Sequence, residues 1–191
     1  MEDTVSIDIP VKYKSIVKET AALSFDMNSD LFTGSLLKTL VASKKDGRIL
    51  ELGTGGGLAT SWIIEGMDER AKLISLENNS ALLDIAKQQL TDPRIEFVLA
   101  DGYTWLKSYT GALFDLIFAD AMPGKYDLFE ETINLLNRGG FYIIDDMHQQ
   151  PNWPEGHAER VIEFILKLEN RRDLVLTKMN WSTGIIIAVK K

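Results

Sequence analysis

The chain contains no cysteine. That excludes disulfides, thiolate nucleophiles and zinc–cysteine centres, and it is compatible with the cytosol. Positive charge is also in short supply, with 21 Lys and Arg against 28 Asp and Glu for a net charge of −7. The basic residues are scattered, and their nearest approach to a cluster, Lys44-Lys45 with Arg48, is short. An acidic chain without a basic face repels a phosphate backbone, so nucleic acid is not an expected partner. Long apolar runs are missing too. Stretches such as Gly184 to Val189 have the length of a strand and cannot cross a bilayer, so no membrane partner is expected either. The first residues, Met1-Glu2-Asp3-Thr4-Val5, lack the positive start of a signal peptide. The expectation is a soluble, cytoplasmic protein. What remains is an ordinary globular composition, 45% hydrophobic and 26% charged with five prolines, and 191 residues suffice for one domain with a substantial core.

Strand-like and helix-like segments alternate after about residue 45. Apolar runs at 48–53, 72–77, 95–101, 114–120 and 140–146 read as buried parallel strands. Helical patterns fill the gaps at 57–67, 79–90, 102–108 and 125–137. The last of these sets Leu128, Ile133, Leu135 and Leu136 on one face and stops at Arg138-Gly139-Gly140. A helix at 156–170 then precedes strands at 174–180 and 184–190. Only Trp181-Ser182-Thr183 separate these two, and a parallel pair needs a crossover of about a dozen residues or more, so they form a hairpin. The expected fold is α/β: a doubly wound, seven-stranded, mostly parallel sheet with an antiparallel C-terminal hairpin. No linker marks a second domain. Residues 1–45 are expected as a helical cover, including a helix at 30–43, over a core at 46–191.

The segment 49–60, ILELGTGGGLAT, follows a strand and opens a helix. It carries Glu51, Gly53, Thr54, Gly55 and Gly57, and its glycines permit a tight turn and close approach of a ligand. A dinucleotide fingerprint would place a third glycine where Leu58 stands, so the spacing favours a ligand without phosphates. Glu77, with Asn78 beside it, ends the second strand, where a carboxylate can accept both hydroxyls of a ribose. Asp101 and Gly102 end the third, placed to meet the edge of an adenine ring. Acidic residues at strand ends also cap the following helix, which is the competing structural reading.

The glycine loop, Glu77, the stretch VLADG (98–102) and the stretch FDLIFADA (114–121) resemble a class I S-adenosylmethionine-dependent methyltransferase. The resemblance runs from about residue 30 to the C-terminus and extends to the small-molecule O-methyltransferases of the catechol and caffeoyl-CoA type. It implies a Rossmann-like methyltransferase fold, S-adenosylmethionine bound by Glu51, Gly53, Thr54, Gly55, Gly57, Glu77, Asn78, Asp101, Gly102 and Asp120, and a small-molecule acceptor. It also implies a divalent metal held by Asp120, Asp145 and Asp146, the counterparts of that family's acidic positions. Three converging carboxylates repel each other, and a cation such as Mg²⁺ would relieve the repulsion and acidify an acceptor hydroxyl.

The chain departs from that pattern at two places. The family's catalytic lysine position is Pro123, and its asparagine is Asp146. Candidates for taking the acceptor's proton are Lys125, two residues beyond Pro123, and His148, in the polar stretch 145–157 that holds both histidines. His148 needs no tuning of its pKa and is preferred, provided its loop folds over the cleft. His157 is expected to be structural. Trp153 is read as a wall for a flat acceptor or an anchor for the loop, and Met122 as packing on adenine or filling a gap. Three alternatives stay open: a metal-independent N- or O-methyltransferase, a nucleotide-binding oxidoreductase, and a cofactor-binding protein without catalysis. A homodimer is compatible with the sequence.

Overall fold

The computed structural model describes residues 8–150 and 153–191. The acidic start at residues 1–5 lies outside the described residues, as do Pro151 and Asn152 of the polar stretch. The sheet has seven strands: β1 (Arg48–Leu52), β2 (Lys72–Glu77), β3 (Ile95–Leu99), β4 (Phe114–Ala119), β5 (Leu136–Ile144), β6 (Leu174–Met179) and β7 (Ile185–Lys190). Their spatial order is β3-β2-β1-β4-β5-β7-β6. Pairings from β3 across to β5 are parallel, and β7 pairs antiparallel with both β5 and β6. The mostly parallel sheet and its antiparallel C-terminal pair are as the sequence implied.

Each core strand is mostly apolar, and its residues divide by parity between two faces. Leu50, Leu52, Ile117 and Ala119 join Phe129, Ile133, Phe164 and Leu168 in one buried cluster. Ile49, Leu116 and Phe118 join Leu37, Val41, Ala59 and Ile63 in another. The first face is covered by α7 (Phe129–Asn134) and α8 (His157–Glu169), and the second by α2 (Leu31–Ala42) and α3 (Leu58–Gly66). By the same parity Glu51 faces with Ile49, toward α3, so a carboxylate is built into an apolar layer. Helix α1 (Tyr13–Ala22) adds Ile16 to a third, smaller cluster with Leu58 and Leu90, the latter just past α4 (Ser80–Gln89). None of the described helices is long and apolar enough to cross a membrane.

The structure corrects the segment expected as a helix over 125–137 and a strand over 140–146. A short turn, α6 (Met122–Lys125), is broken internally by Pro123 and Gly124, and α7 begins only after Leu128, which takes φ 55°. Strand β5 starts at Leu136, ahead of the glycine pair. Gly139-Gly140 therefore does not end a helix. It sits in an irregularity of the β4–β5 ladder, where the register shifts between the pairs Phe114–Leu136 and Leu116–Phe141. The glycine signal was real, but a bulge needs positive φ as much as a helix end does.

Gly139 has φ 76° with nothing within 4 Å of where a Cβ would stand. Gly139→Ala should therefore lower stability by about 1–2 kcal/mol through backbone strain alone. Urea denaturation checks this, and an unchanged midpoint would mean that the bulge relaxes without loss.

Candidate active site

The sheet reverses its winding between β1 and β4, and a crevice opens outside the carboxyl ends of strands at such a point. A cleft of about 800 Å³ lies there, lined by the ends of β1, β2, β4 and β5 and by the segment 25–30 between α1 and α2. Strands β1 and β4 end level, Leu52 opposite Ala119, and the Asp120 amide donates to the Leu52 carbonyl at 3.0 Å. Gly53 turns the chain with φ 101°, and a Cβ there would stand 2.6 Å from the Asp120 carbonyl oxygen. No other residue fits that approach, which explains the first glycine of the loop.

Glu77 reaches this turn from β2. Its Oε2 accepts from the Gly55 amide at 2.7 Å, and Oε1 accepts from the Asn78 and Asn79 amides at 2.9 Å each. Three backbone donors therefore fix the carboxylate at the cleft, while Asn79, not Glu77, caps α4 with its side chain. Thr54, Gly55, Asn78 and Gly102 also line the cleft. Gly57 does not; it is the left-handed N-cap of α3.

Two more of the expected ligand residues lie elsewhere. Asp101 caps α5 (Gly102–Ser108), accepting from the Thr104 amide and hydroxyl at 2.9 Å, and is exposed outside the cleft. Glu51 is fully buried behind the glycine loop, where Oε2 accepts from Thr60 at 2.6 Å and Ser75 at 2.5 Å. Ser75 in turn meets Thr54 at 2.6 Å, so a hydroxyl chain joins Glu51 to the cleft wall. Its other oxygen has no partner. Burial pushes the Glu51 carboxyl up to about 7, with the Glu77 charge adding to the effect and the two hydroxyl bonds opposing it.

The far end of the cleft gathers Asp120, Asp145, Asp146 and Lys125. Asp145 is 2% exposed and accepts from the Thr183 hydroxyl and, at 2.8 Å, from the Asp146 amide. Burial first, and then the charge of Asp146, raise its carboxyl to about 6. Asp120 is raised well above the ordinary carboxylate range by burial and the Asp145 charge, with Lys125 opposing. Lys125 is 4% exposed, so the Pro123-Gly124 break turns it into the cleft.

The two histidines are placed the other way round from the expectation, with His157 and not His148 at the cleft. His148 is exposed and does not line the cleft. Its amide donates to the Thr183 carbonyl at 2.8 Å, and its ring packs where a Cβ on Gly184 would be 2.4 Å away. The condition for a general base, a loop folded over the cleft, is not met at this residue. His157 does line the cleft, with Nε2 3.3 Å from the Tyr126 hydroxyl and its ring 4.6 Å from that of Trp153. Burial, followed by the charges of Lys125 and Arg160, lowers its pKa. Trp153 and Met122 line the cleft, and Trp153 also packs on the core. Reading the sequence alone missed the segment 25–30, whose Ser29 hydroxyl approaches Asp120 at 3.4 Å, and Thr183 in the hairpin turn. Neither segment carries a local signal of a ligand.

The pattern of the O-methyltransferase family matches residues 3–190. The chain belongs to that family. Catechol O-methyltransferase of Mycobacterium tuberculosis is 28% identical over 119 residues, covering 60% of this chain and 54% of that protein. The chain thus spans about half the length of the curated relatives it matches. An O-methyltransferase from Bacillus cereus, solved in complex with SAH, superposes with a TM-score of 0.84 at 22% identity, covering 98% of this chain and 94% of that one. An O-methyltransferase of Streptomyces achromogenes involved in tomaymycin synthesis, solved with SAM, gives 0.82 at 21% identity, covering 99% and 92%. At these identities the solved structures establish the fold, including the mixed sheet.

A divalent metal, implied for Asp120, Asp145 and Asp146, does not fit the residues as they stand. One oxygen of Asp145 is already taken by Thr183 and the Asp146 amide, and a buried lysine shares the space. Among the described residues no three acidic or histidine side chains are spaced to hold an ion.

The buried Glu51 makes stability depend on pH. Folding raises its pKa from 4.5 to about 7, so its contribution is fully present below pH 4.5 and is lost as pH rises through 7. Glu51→Gln cannot ionise. Relative to wild type it should gain about 3 kcal/mol in unfolding free energy between pH 4.5 and 7.5. Urea titrations at several pH values measure this; parallel pH profiles would mean that Glu51 is ionised in the fold.

Proposed function

We propose that this chain transfers the methyl group of S-adenosylmethionine to an oxygen of a small molecule. The observation that carries the reading is the Glu77 carboxylate, oriented by the Gly55, Asn78 and Asn79 amides at a glycine turn that leaves no third glycine for a pyrophosphate. A fixed acceptor beside a tight turn suits a ribose, and the cleft then continues to a second, charged end with room for an acceptor. Family membership supports the same reaction. Gly53, Thr54, Gly55, Asn78 and Gly102 surround the cofactor in this reading, with Asp120 at its methyl end. Glu51 acts from behind the loop by holding Thr60 and Ser75.

Transfer needs little covalent chemistry from the protein, because the methyl arrives on a sulfonium. An oxygen lone pair of the acceptor forms the new C–O bond. The S–C bonding pair returns to sulfur as a neutral thioether, and the acceptor's hydroxyl proton leaves to solvent. The protein's share is alignment and charge. Trp153, Tyr126 and Met122 offer flat, apolar contact to an acceptor at that end.

Calorimetric titration with S-adenosylhomocysteine tests the reading, with NAD as the control. The homocysteine adduct should bind and NAD should not; the reverse would sink the proposal. Glu77→Ala should weaken adduct binding by about 1.5–3 kcal/mol, the scale of a hydrogen bond to a charged group. An unchanged dissociation constant in a folded variant would move the ribose away from Glu77.

A further inference from the structure

The acceptor end of the cleft holds an arrangement that the metal-based pattern does not explain. Lys125 is a buried residue lining the same end of the cleft as Asp120, Asp145 and Asp146, and its amine makes no ion pair with any of the three. A buried ammonium is stable only when opposite charge compensates it, and its charge acts on both Asp120 and Asp145.

Its position is built in rather than incidental. Pro123 takes ψ 132° and Gly124 takes φ 90°, which interrupts α6 just before the lysine. The Gly124 carbonyl accepts from the hydroxyl of Tyr142, a fully buried residue of β5, and the Gly124 amide donates to the Asp127 carbonyl at 2.7 Å. A Cβ on Gly124 would stand 2.2 Å from Leu52 Cδ1. The break is therefore clamped between β1 and β5, the two strands flanking β4, and Lys125 follows directly from it.

The carboxylates are arranged to match. Asp145 spends one oxygen on Thr183 and the Asp146 amide, and the described residues offer no three-ligand group for an ion. A divalent ion placed here would face a nearby buried ammonium and, with the side chains as they stand, incomplete ligation.

We infer that the ammonium of Lys125 supplies the positive charge of this end of the cleft in place of a divalent metal, so that methyl transfer proceeds here without one. The inference rests on the proposed methyl transfer for its meaning, but not for its test. Lys125 donates a hydrogen bond to the acceptor oxygen. It thereby stabilises the negative charge that grows there as the hydroxyl proton leaves to solvent and the lone pair attacks the methyl carbon.

The experiment titrates Mn²⁺ into the apo protein, followed by the loss of the free-ion electron paramagnetic resonance signal. S-adenosylhomocysteine calorimetry is run on the same samples. Wild type should leave millimolar Mn²⁺ free, whereas Lys125→Met, in which the three carboxylates lose their counter-charge and can draw together around an ion, should take up about one equivalent, and adding Asp120→Asn should abolish that uptake. Lys125→Gln repeats the measurement if the methionine variant does not fold. Stoichiometric Mn²⁺ uptake by wild type would overturn the inference, as would folded Lys125 variants that bind no more than wild type. Failure of wild type to bind S-adenosylhomocysteine would count against the proposed reaction alone, because the Mn²⁺ comparison is read without it.

Discussion

The close approach of β1 and β4 at their carboxyl ends governs the rest of the site. The two strands run parallel in register to Leu52 and Ala119, and the next residue of each, Gly53 and Asp120, meets the other without room for a side chain at Gly53. Because the winding reverses between these strands, the chain leaves them in opposite directions and a crevice must open. The glycine turn, the Glu77 carboxylate and the acidic end of the cleft are all referred to this one contact. The Gly55 amide that holds Glu77 belongs to the turn that Gly53 starts, and Asp120 is the residue that Gly53 accommodates.

Electrostatics then divide the cleft. At the ribose end a single carboxylate is neutralised by backbone dipoles, which need no counter-ion and hold it in one orientation. At the other end three carboxylates share a small volume with one lysine, and burial raises two of them above their ordinary range. Behind the loop, Glu51 is a third arrangement: a carboxyl held by two hydroxyls in an apolar layer, with one oxygen unpartnered. The same functional group is thus held by backbone amides, crowded among like charges, or raised to about 7 by burial, according to its surroundings.

The segment 25–30 and the β6–β7 turn meet over the cleft from opposite ends of the chain. Ser182 of the turn donates to Asp30, the residue that caps α2, and Thr183 donates to Asp145. The antiparallel hairpin therefore does more than finish the sheet, because its turn orders both the cover of the cleft and one of the acidic residues on its floor. Trp181, just before the turn, packs edge-on against Phe32 at 5.2 Å and ties the hairpin to α2.

The strands, the hairpin and the glycine loop were legible from residues 48 to 190 because each rests on local signals: apolar runs, a three-residue connection, alternate glycines. Glu77 and Asp120 could be placed for the same reason, since a strand end fixes where its last side chain emerges. The misread segment, 125–137, failed where one signal has two physical causes. A glycine pair serves a bulge in β5 as readily as a helix end, and only the pairing with β4 decides between them. Lys125 and the two histidines could not be resolved locally at all. Whether a side chain after a proline–glycine break points into a cleft depends on what clamps the break, here Tyr142 from a strand that begins eleven residues further on. His157 reaches the cleft, whereas His148 packs on Gly184 of the returning hairpin outside it. Backbone periodicity is written in neighbouring residues, whereas the direction of a loop side chain is set by contacts between residues far apart in the chain.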